Sequence, residues 1–333
     1  MYNPSFFKEK TILITGGSGS IGSYLMDELL KTECKAIRIL TNNEYELFRV
    51  QKKYGQNKKL RFLLGDVRDK ERLVVATNGV DIVFHAAALK HVPLCEFNPF
   101  DAIQTNVIGT QNTIEACIYS DVEKLVFIST DKAADPLSTL GTTKLLAERL
   151  VISGMAYRKS LTKPIMYCIR FGNVIETRGS VLELFLEQVK KNESLTLTNK
   201  KMTRFTMTKK EVVDLILSTV NIAKGGEIFV LKMKSMRILD LAKAVIALYS
   251  KNPAKHKIIE TGIREREKLH ESLITKDEIT TFKEFNGMYV LPPPNSNEYQ
   301  KLPPLKTSYS SEQSKFMTID EIKKMLKKIQ DDF

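Results

Sequence analysis

The sequence predicts an α/β protein built on a doubly wound parallel sheet, with a smaller C-terminal region. Three observations carry this expectation. Short apolar runs alternate with helical patterns through the first half of the chain. The first run ends in a glycine-rich turn, Thr15-Gly16-Gly17-Ser18-Gly19-Ser20-Ile21-Gly22, set between a strand and a helix, which makes the sheet Rossmann-type. Beyond about residue 172 the alternation breaks down.

Each element has its own warrant. Thr11–Ile14 is an unbroken run of β-favouring residues, and the helix after it sets Ile21, Leu25, Leu29 and Leu30 on one face. Ala36–Leu40, Leu60–Leu64, Asp81–His85 and Lys124–Ser129 are further runs of strand length. Helices are expected over Asp101–Tyr119 and Ser138–Arg158, then a strand over Ile165–Arg170. Past that point, Val181–Lys191 and Lys209–Ala223 read as helices and Glu227–Leu231 as a strand. Residues 291–304, rich in proline, read as an extended excursion. Thr318 with Glu321 forms a capping box for a last helix carrying Ile319, Ile322, Met325, Leu326 and Ile329 on one face. The expected division is a nucleotide-binding domain over 8–172 and a substrate region over 173–333, interleaved with the first.

With 333 residues, 43% apolar and 27% charged, the composition is that of an ordinary globular protein. No stretch of about 18 apolar residues exists and the N-terminus lacks a signal-peptide core, so a cytoplasmic protein without membrane insertion is expected. The net charge of +12 is spread over scattered lysine pairs such as Lys190-Lys191 and Lys209-Lys210. No aromatic-rich basic cluster accompanies them, which argues against nucleic acid and for a surface that attracts a small phosphorylated substrate. Cys34, Cys95, Cys117 and Cys168 show neither CxxC nor zinc spacing, so buried thiols and no metal site are expected.

The glycines at 16, 19 and 22 suit a tight turn, a backbone approach to a pyrophosphate, and close helix packing, with the amides of Ser20 and Ile21 opening the helix toward the anion. Asn42, after the second strand, should lie beside the adenosine ribose. Two asparagines there, Asn42 and Asn43, leave NAD and NADP both open. Asp66-Val67 is placed to meet the adenine. Ala86 and Ala87 are small enough for the nicotinamide half to run across the sheet edge, and Lys90 and His91 point onward to the substrate. His85 reads as a packed, hydrogen-bonded residue. In the stretch Ser129-Thr130-Asp131-Lys132, a carboxyl group and an amine stand side by side after a strand, able to give a proton to one atom and take one from its neighbour. Lys144 stands where nicotinamide-dependent enzymes often keep a lysine, but Leu140 replaces the tyrosine usual four residues earlier.

Thr-Gly-Gly-x-Gly-Ser-x-Gly, Ala-Ala-Ala-Leu-Lys-His-Val-Pro, Thr-Asn-Val-x-Gly-Thr, Ser-Thr-Asp-Lys-Ala, Arg-Phe-Gly-Asn-Val, Arg-Gly-Ser-Val, Met-Thr-Arg-Phe and Glu-Lys-Leu-His-Glu follow one another in this chain. In that order, from Lys8 to Lys328, they resemble the inverting UDP-N-acetylglucosamine 4,6-dehydratases of polysaccharide synthesis. These are extended short-chain dehydrogenase/reductases. The likeness is greatest to the short subgroup that begins UDP-N-acetyl-L-fucosamine synthesis, inverts C5 and can epimerise C3.

The resemblance implies a tightly held, recycled NADP or NAD, a UDP-sugar substrate, and an assembly of two or six chains. It implies Lys132 as the C5 base, Asp131 as the acid, Thr130 as the partner of O4, and Lys144 on the nicotinamide ribose. It implies Arg170, Asn173, Arg178, Arg204, Arg264 and Glu267 around the UDP group. The product would be a UDP-4-keto-6-deoxy-N-acetylhexosamine for surface polysaccharide. One departure is Arg266, where relatives carry glycine. Two alternatives remain: a UDP-sugar 4-epimerase acting on UDP-glucose or UDP-N-acetylglucosamine, which would normally need the missing phenol, and a catalytically silent cofactor-binding regulator.

Overall fold

The computed structural model describes residues 2–177, 179–293 and 296–331. The chain begins with β1 (Thr11–Thr15), α1 (Ser20–Leu30), β2 (Ala36–Thr41), α2 (Glu44–Tyr54), β3 (Leu60–Leu64), α3 (Lys70–Thr77) and β4 (Ile82–His85). It continues through α4 (Val92–Phe97), α5 (Pro99–Ala102), α6 (Gly109–Tyr119), β5 (Lys124–Ile128), α7 (Thr139–Gly154) and β6 (Ile165–Arg170). The predicted strands form. The two predicted long helices form with changes.

Instead of one helix over Asp101–Tyr119, the segment Ile103–Ile108 winds as a wide π-type turn between α5 and α6. The wide turn sets buried Asn106 to accept from the Leu89 amide at 2.8 Å and to donate to Thr143 Oγ1 at 3.1 Å, which fixes the loop after β4 against α7. The helix expected to reach Arg158 ends at Gly154 and passes into a short 3-10 turn.

The remainder comprises β7 (Asn173–Val174), α8 (Val181–Lys190), β8 (Leu195–Leu197), β9 (Thr203–Met207), α9 (Lys209–Ile222), β10 (Ile228–Leu231), β11 (Ser235–Arg237) and α10 (Ile238–Tyr249). Then follow β12 (Ile258–Glu260), β13 (Ser272–Ile274), β14 (Lys283–Phe285), β15 (Met288–Leu291), α11 (Asn297–Gln300), β16 (Tyr309–Ser310) and α12 (Ile319–Asp331). The Thr318–Glu321 capping box is made by both of its hydrogen bonds.

The main sheet has the order β14-β15-β10-β6-β5-β4-β1-β2-β3, parallel from β10 to β3 and antiparallel at β15 and β14. Successive residues of each strand point to opposite faces, and both faces are covered. Ile12, Ile14, Ile37 and Ile39 pack under α1, α2 and α9, whereas Leu13, Leu40, Val83 and Leu125 pack under α3, α6 and α7. A separate core joins α8, α10 and α12, with Phe185, Leu241, Val245 and Leu326 inside it. Strand register brings Thr15 beside His85, His85 beside Phe127, and Ile128 beside Ile169. The loops after β1, β4, β5 and β6 therefore meet at one edge of the sheet.

Candidate active site

At that edge, where strand order reverses between β1 and β4, a cleft of ≈ 1050 Å³ opens. Gly16 has a φ of +66°, and a Cβ there would stand 2.8 Å from the Ala87 backbone, so only glycine lets the two loops touch. A Cβ on Gly22 would come within 2.5 Å of the Gly16 carbonyl oxygen. Gly19 caps α1 without a side-chain bond, and Gly19, Ser20, Ile21 and Gly22 line the cleft, so the positive helix end faces it. Ala86, Ala87 and Lys90 continue the wall. At the far end, Asp66 accepts Asn42 Nδ2 at 3.0 Å and Arg68 Nη2 at 2.7 Å; hydrogen bonding by Arg68 brings its carboxyl down to about 2. Val67 and Arg68 line the same end. This cradle of backbone amides, small side chains and polar adenosine-side groups fits a nicotinamide dinucleotide.

Asp131 and Lys132, the pair expected from the sequence to act as acid and base, line the same cleft. Thr130 caps a single 3-10 turn, and the Asp131 amide bonds the Phe171 carbonyl at 2.9 Å, which pins the turn to the end of β6. Asp131 is fully buried; its Oδ1 accepts Thr130 Oγ1 and Lys132 Nζ, each at 2.9 Å. Lys132 Nζ lies also 3.5 Å from Glu271 Oε1. Burial alone would lower the Lys132 pKa, but Asp131 and Glu271 outweigh it and raise it above its ordinary value.

Lys144, on α7, donates to the Ile128 carbonyl at 2.6 Å and lies 4.0 Å from the Phe127 ring centroid; burial lowers its pKa to about 8. Leu140 lines the cleft one turn earlier, packed in an apolar cluster with Cys95 and Ala102. His85 is held between Thr15 Oγ1 and Thr110 Oγ1 at 2.7 and 3.0 Å, and burial lowers its pKa to about 3. It is the packed residue the sequence led us to expect.

A second cavity of ≈ 610 Å³ continues from the first, and Lys90, His91, Lys132, Asn173 and Arg204 line both. Its roof is the loop carrying Arg264, Glu267, Lys268 and Glu271, facing α4. Arg204 spends its guanidinium on backbone, donating to the roof carbonyls of Leu269 and Lys268 at 3.1 and 2.9 Å and to its β9 neighbour Thr203 at 2.8 Å. The Arg264 amide donates to Glu267 Oε2 at 3.1 Å, so the two close one turn. Arg178 lies outside the described residues.

Arg170 corrects the sequence reading. It is 1% exposed at the end of β6 and its fork is filled by Glu148 at 2.8 to 3.2 Å and Glu278 at 3.0 Å. Glu148 also accepts Ser129 Oγ at 2.5 Å. A guanidinium so paired is a buried tie between α7, β6 and the C-terminal region, not a diphosphate ligand.

Sequence reasoning assigned no role to Glu96, Thr206 or Glu271, yet Thr206 lines the first cavity and Glu96 and Glu271 line the second. Among the described residues, the buried side-chain atoms without a hydrogen-bond partner are Asp131 Oδ2, Asn173 Oδ1, Thr206 Oγ1 and Glu271 Oε2. All four belong to cavity walls, where they can accept hydroxyl or amide donors of a bound polar molecule. Glu271 stood within the Glu-Lys-Leu-His-Glu motif, but only the fold shows that it faces Lys132.

The profile of the polysaccharide biosynthesis protein family matches residues 12–293. A Methanocaldococcus jannaschii protein described as an uncharacterized membrane protein is 49% identical over 331 residues, 98% of this chain and 97% of its own length. Among the described residues here, no helix is long and apolar enough to cross a membrane. A UDP-glucose 4-epimerase of Rickettsia felis is 37% identical over 334 residues, covering 96% of each chain. The X-ray structure of Pen from Bacillus thuringiensis superposes with a TM-score of 0.90 at 38% identity, covering 97% of this chain and 98% of that one.

Proposed function

Because this chain belongs to the polysaccharide biosynthesis protein family, with the fold of the extended short-chain dehydrogenase/reductases, we propose that it is a nucleotide-sugar 4,6-dehydratase, acting on UDP-N-acetylglucosamine with inversion at C5. The observation that carries the reading is the Asp131–Lys132 pair, bonded at 2.9 Å in the cleft beside an apolar Leu140. Elimination needs two proton transfers about one C–C bond, and this pair offers an acid and a base one residue apart.

Held by the Gly16–Gly22 turn, Asn42, Asp66 and Ala86–Ala87, NADP or NAD would supply the redox chemistry, accepting hydride from C4 and donating it to C6. The remaining steps belong to the protein. Thr130 would hydrogen-bond O4, and Lys144 would bond the nicotinamide ribose. With C4 a ketone, the neutral Lys132 amine takes the C5 proton as the C5–H bond breaks. Asp131 gives its proton to O6 as the C6–O6 bond breaks, and water leaves. The O4 proton freed on oxidation of C4 passes through Thr130 to Asp131, whose Oδ1 accepts the Thr130 hydroxyl, and is the proton then given to O6. Lys132 ends as the ammonium and Asp131 as the carboxylate, the ion pair seen here. A solvent proton adds to C5 from the opposite face, which inverts it, and Lys132 releases its proton to solvent. Asn173, Arg264 and Glu267 are proposed to surround the UDP group, with Arg204 holding the roof over it, and the protein is proposed to work in the cytoplasm as an oligomer.

A 4-epimerase is the second reading, and the name of the Rickettsia relative favours it. Leu140 speaks against it, since no phenol stands there to exchange a proton with O4. Incubation with UDP-N-acetylglucosamine in D2O, followed by sugar NMR, tests both. A 4-keto-6-deoxy product with deuterium at C5 is expected. UDP-N-acetylgalactosamine would instead mean an epimerase, and unchanged sugar a silent regulator. Lys132→Met and Asp131→Asn are each expected to lower turnover by at least about 100-fold while leaving cofactor binding intact.

A further inference from the structure

We propose that Glu271 is a positioning residue for the proton transfer, clamping the Lys132 amine between two carboxylates and deciding when that amine is free to accept a proton. This rests on the dehydratase reading above for its chemistry, but on geometry alone for its existence. Glu271 precedes β13, and its amide is fixed by Ser311 Oγ at 2.9 Å. Its Oε1 lies 3.5 Å from Lys132 Nζ on one side and 3.8 Å from Arg204 Nε on the other, and its Oε2 is buried without a partner. The lysine is thus approached by Asp131 from its own turn, by Glu271 from the strand of the roof loop, and by Arg204 from β9; Lys90, His91, Glu267 and Lys268 share the same cavity.

The physical consequence is specific. Lys132 can act as a base only when neutral, and each flanking carboxylate favours its charged form. Glu271 is therefore a brake on the base as well as its holder. Removing its charge while keeping its shape should free the amine at lower pH. A residue that merely packed against Arg204 would leave the lysine's protonation unchanged. Thr206 and Asn173 also carry unpartnered buried atoms, but neither stands beside the base in this way.

The test is competitive acetylation of Lys132 across a pH series, read by mass spectrometry on intact wild type, Glu271→Gln and Glu271→Asp proteins. Glu271→Gln is expected to move the Lys132 labelling midpoint down by about one pH unit or more. Glu271→Asp keeps the charge but withdraws it by one methylene, and should move the midpoint down by less. An unmoved midpoint in Glu271→Gln, in protein that melts like wild type, overturns the proposal. If the glutamine variant does not fold, an unmoved midpoint in Glu271→Asp overturns it instead. In parallel, the rising limb of kcat/KM against pH should move down with the labelling midpoint. Wild-type protein that leaves UDP-N-acetylglucosamine unchanged would sink the dehydratase reading alone, because the labelling still decides the role of Glu271.

Discussion

Two basic residues with opposite fates show how burial sorts function from framework. Arg170 is saturated by Glu148 and Glu278, so its charge is spent on structure. Replacing it with methionine leaves Glu148 buried without its partner, and such a broken pair costs about 3–5 kcal/mol. Urea unfolding should show that loss, with the substrate KM of the surviving folded enzyme unchanged; a KM rise without instability would restore the diphosphate role. Lys144, by contrast, is held by one carbonyl, and burial sets its pKa at about 8. The unfolded chain binds this proton more tightly than the folded one, so the folded state is penalised below pH 8 and the penalty fades as pH rises from about 8 toward the ordinary lysine range. Lys144→Met should therefore gain up to about 3 kcal/mol over wild type at pH 7, a gap that closes by pH 10.5 in denaturant titrations. That Asp131, Lys132 and Lys144 would meet in one cleft was legible from their order after a strand. The purpose of Arg170 was not, because a strand-end arginine looks the same in sequence whether its partner is a substrate or a glutamate on another helix.

The helix that carries Leu140 and Lys144 is held at its N-terminus by more than its own cap. Ser138 Oγ accepts the Gly141 amide at 3.1 Å, and the Glu96 carboxylate from α4 accepts the Thr139 amide at 2.6 Å and its hydroxyl at 3.1 Å. Arg266, from the roof loop, closes on the same carboxylate. Burial would raise the Glu96 pKa, but the bonds from Thr139 and the charge of Arg266 bring it below its usual value. Glu96 thus ties the roof of the second cavity to the start of α7. The tie also explains the departure noticed in the sequence: Arg266 has a φ of +60°, a left-handed conformation that glycine adopts freely and arginine does not. Arg266→Gly should relieve that backbone strain while losing a half-exposed ion pair worth about 0–1 kcal/mol, so the melting temperature should change little. The KM for the nucleotide sugar should rise several-fold as the roof loosens. A KM equal to wild type would mean the roof closes without the tie. The strand and helix positions were readable from periodicity, but the wide turn at Ile103–Ile108 was not, because its cause is the distant bond between Asn106 and the loop after β4.

At the scale of the molecule, the rhythm of the sequence ends near residue 172, but the sheet does not. β10 pairs in parallel with β6, matching Ile228 to Cys168 and Val230 to Arg170, and β15 and β14 extend the same sheet in the opposite sense. One face of that sheet is roofed by α9, whose Val212, Val213, Ile216 and Val220 are fully buried in the same core as Ile12, Phe84 and Tyr167. This part of the fold was hidden because a short apolar strand after a long insertion carries no mark of which sheet it joins. A fragment ending at residue 172 would expose the edge of β6 and lose α9 from the face it shares with α1 and α2. Fully burying a Val or Ile side chain is worth about 1.5–3 kcal/mol, so the α9 residues alone account for several kcal/mol, a large share of the 5–15 kcal/mol that holds a domain folded. An uncovered sheet edge also invites pairing between chains. Residues 1–172 expressed alone should therefore aggregate or stay unfolded, as read by size-exclusion chromatography and the absence of a cooperative melt. A monomeric fragment with a sharp transition would show that the nucleotide-binding half is complete without its C-terminal strands.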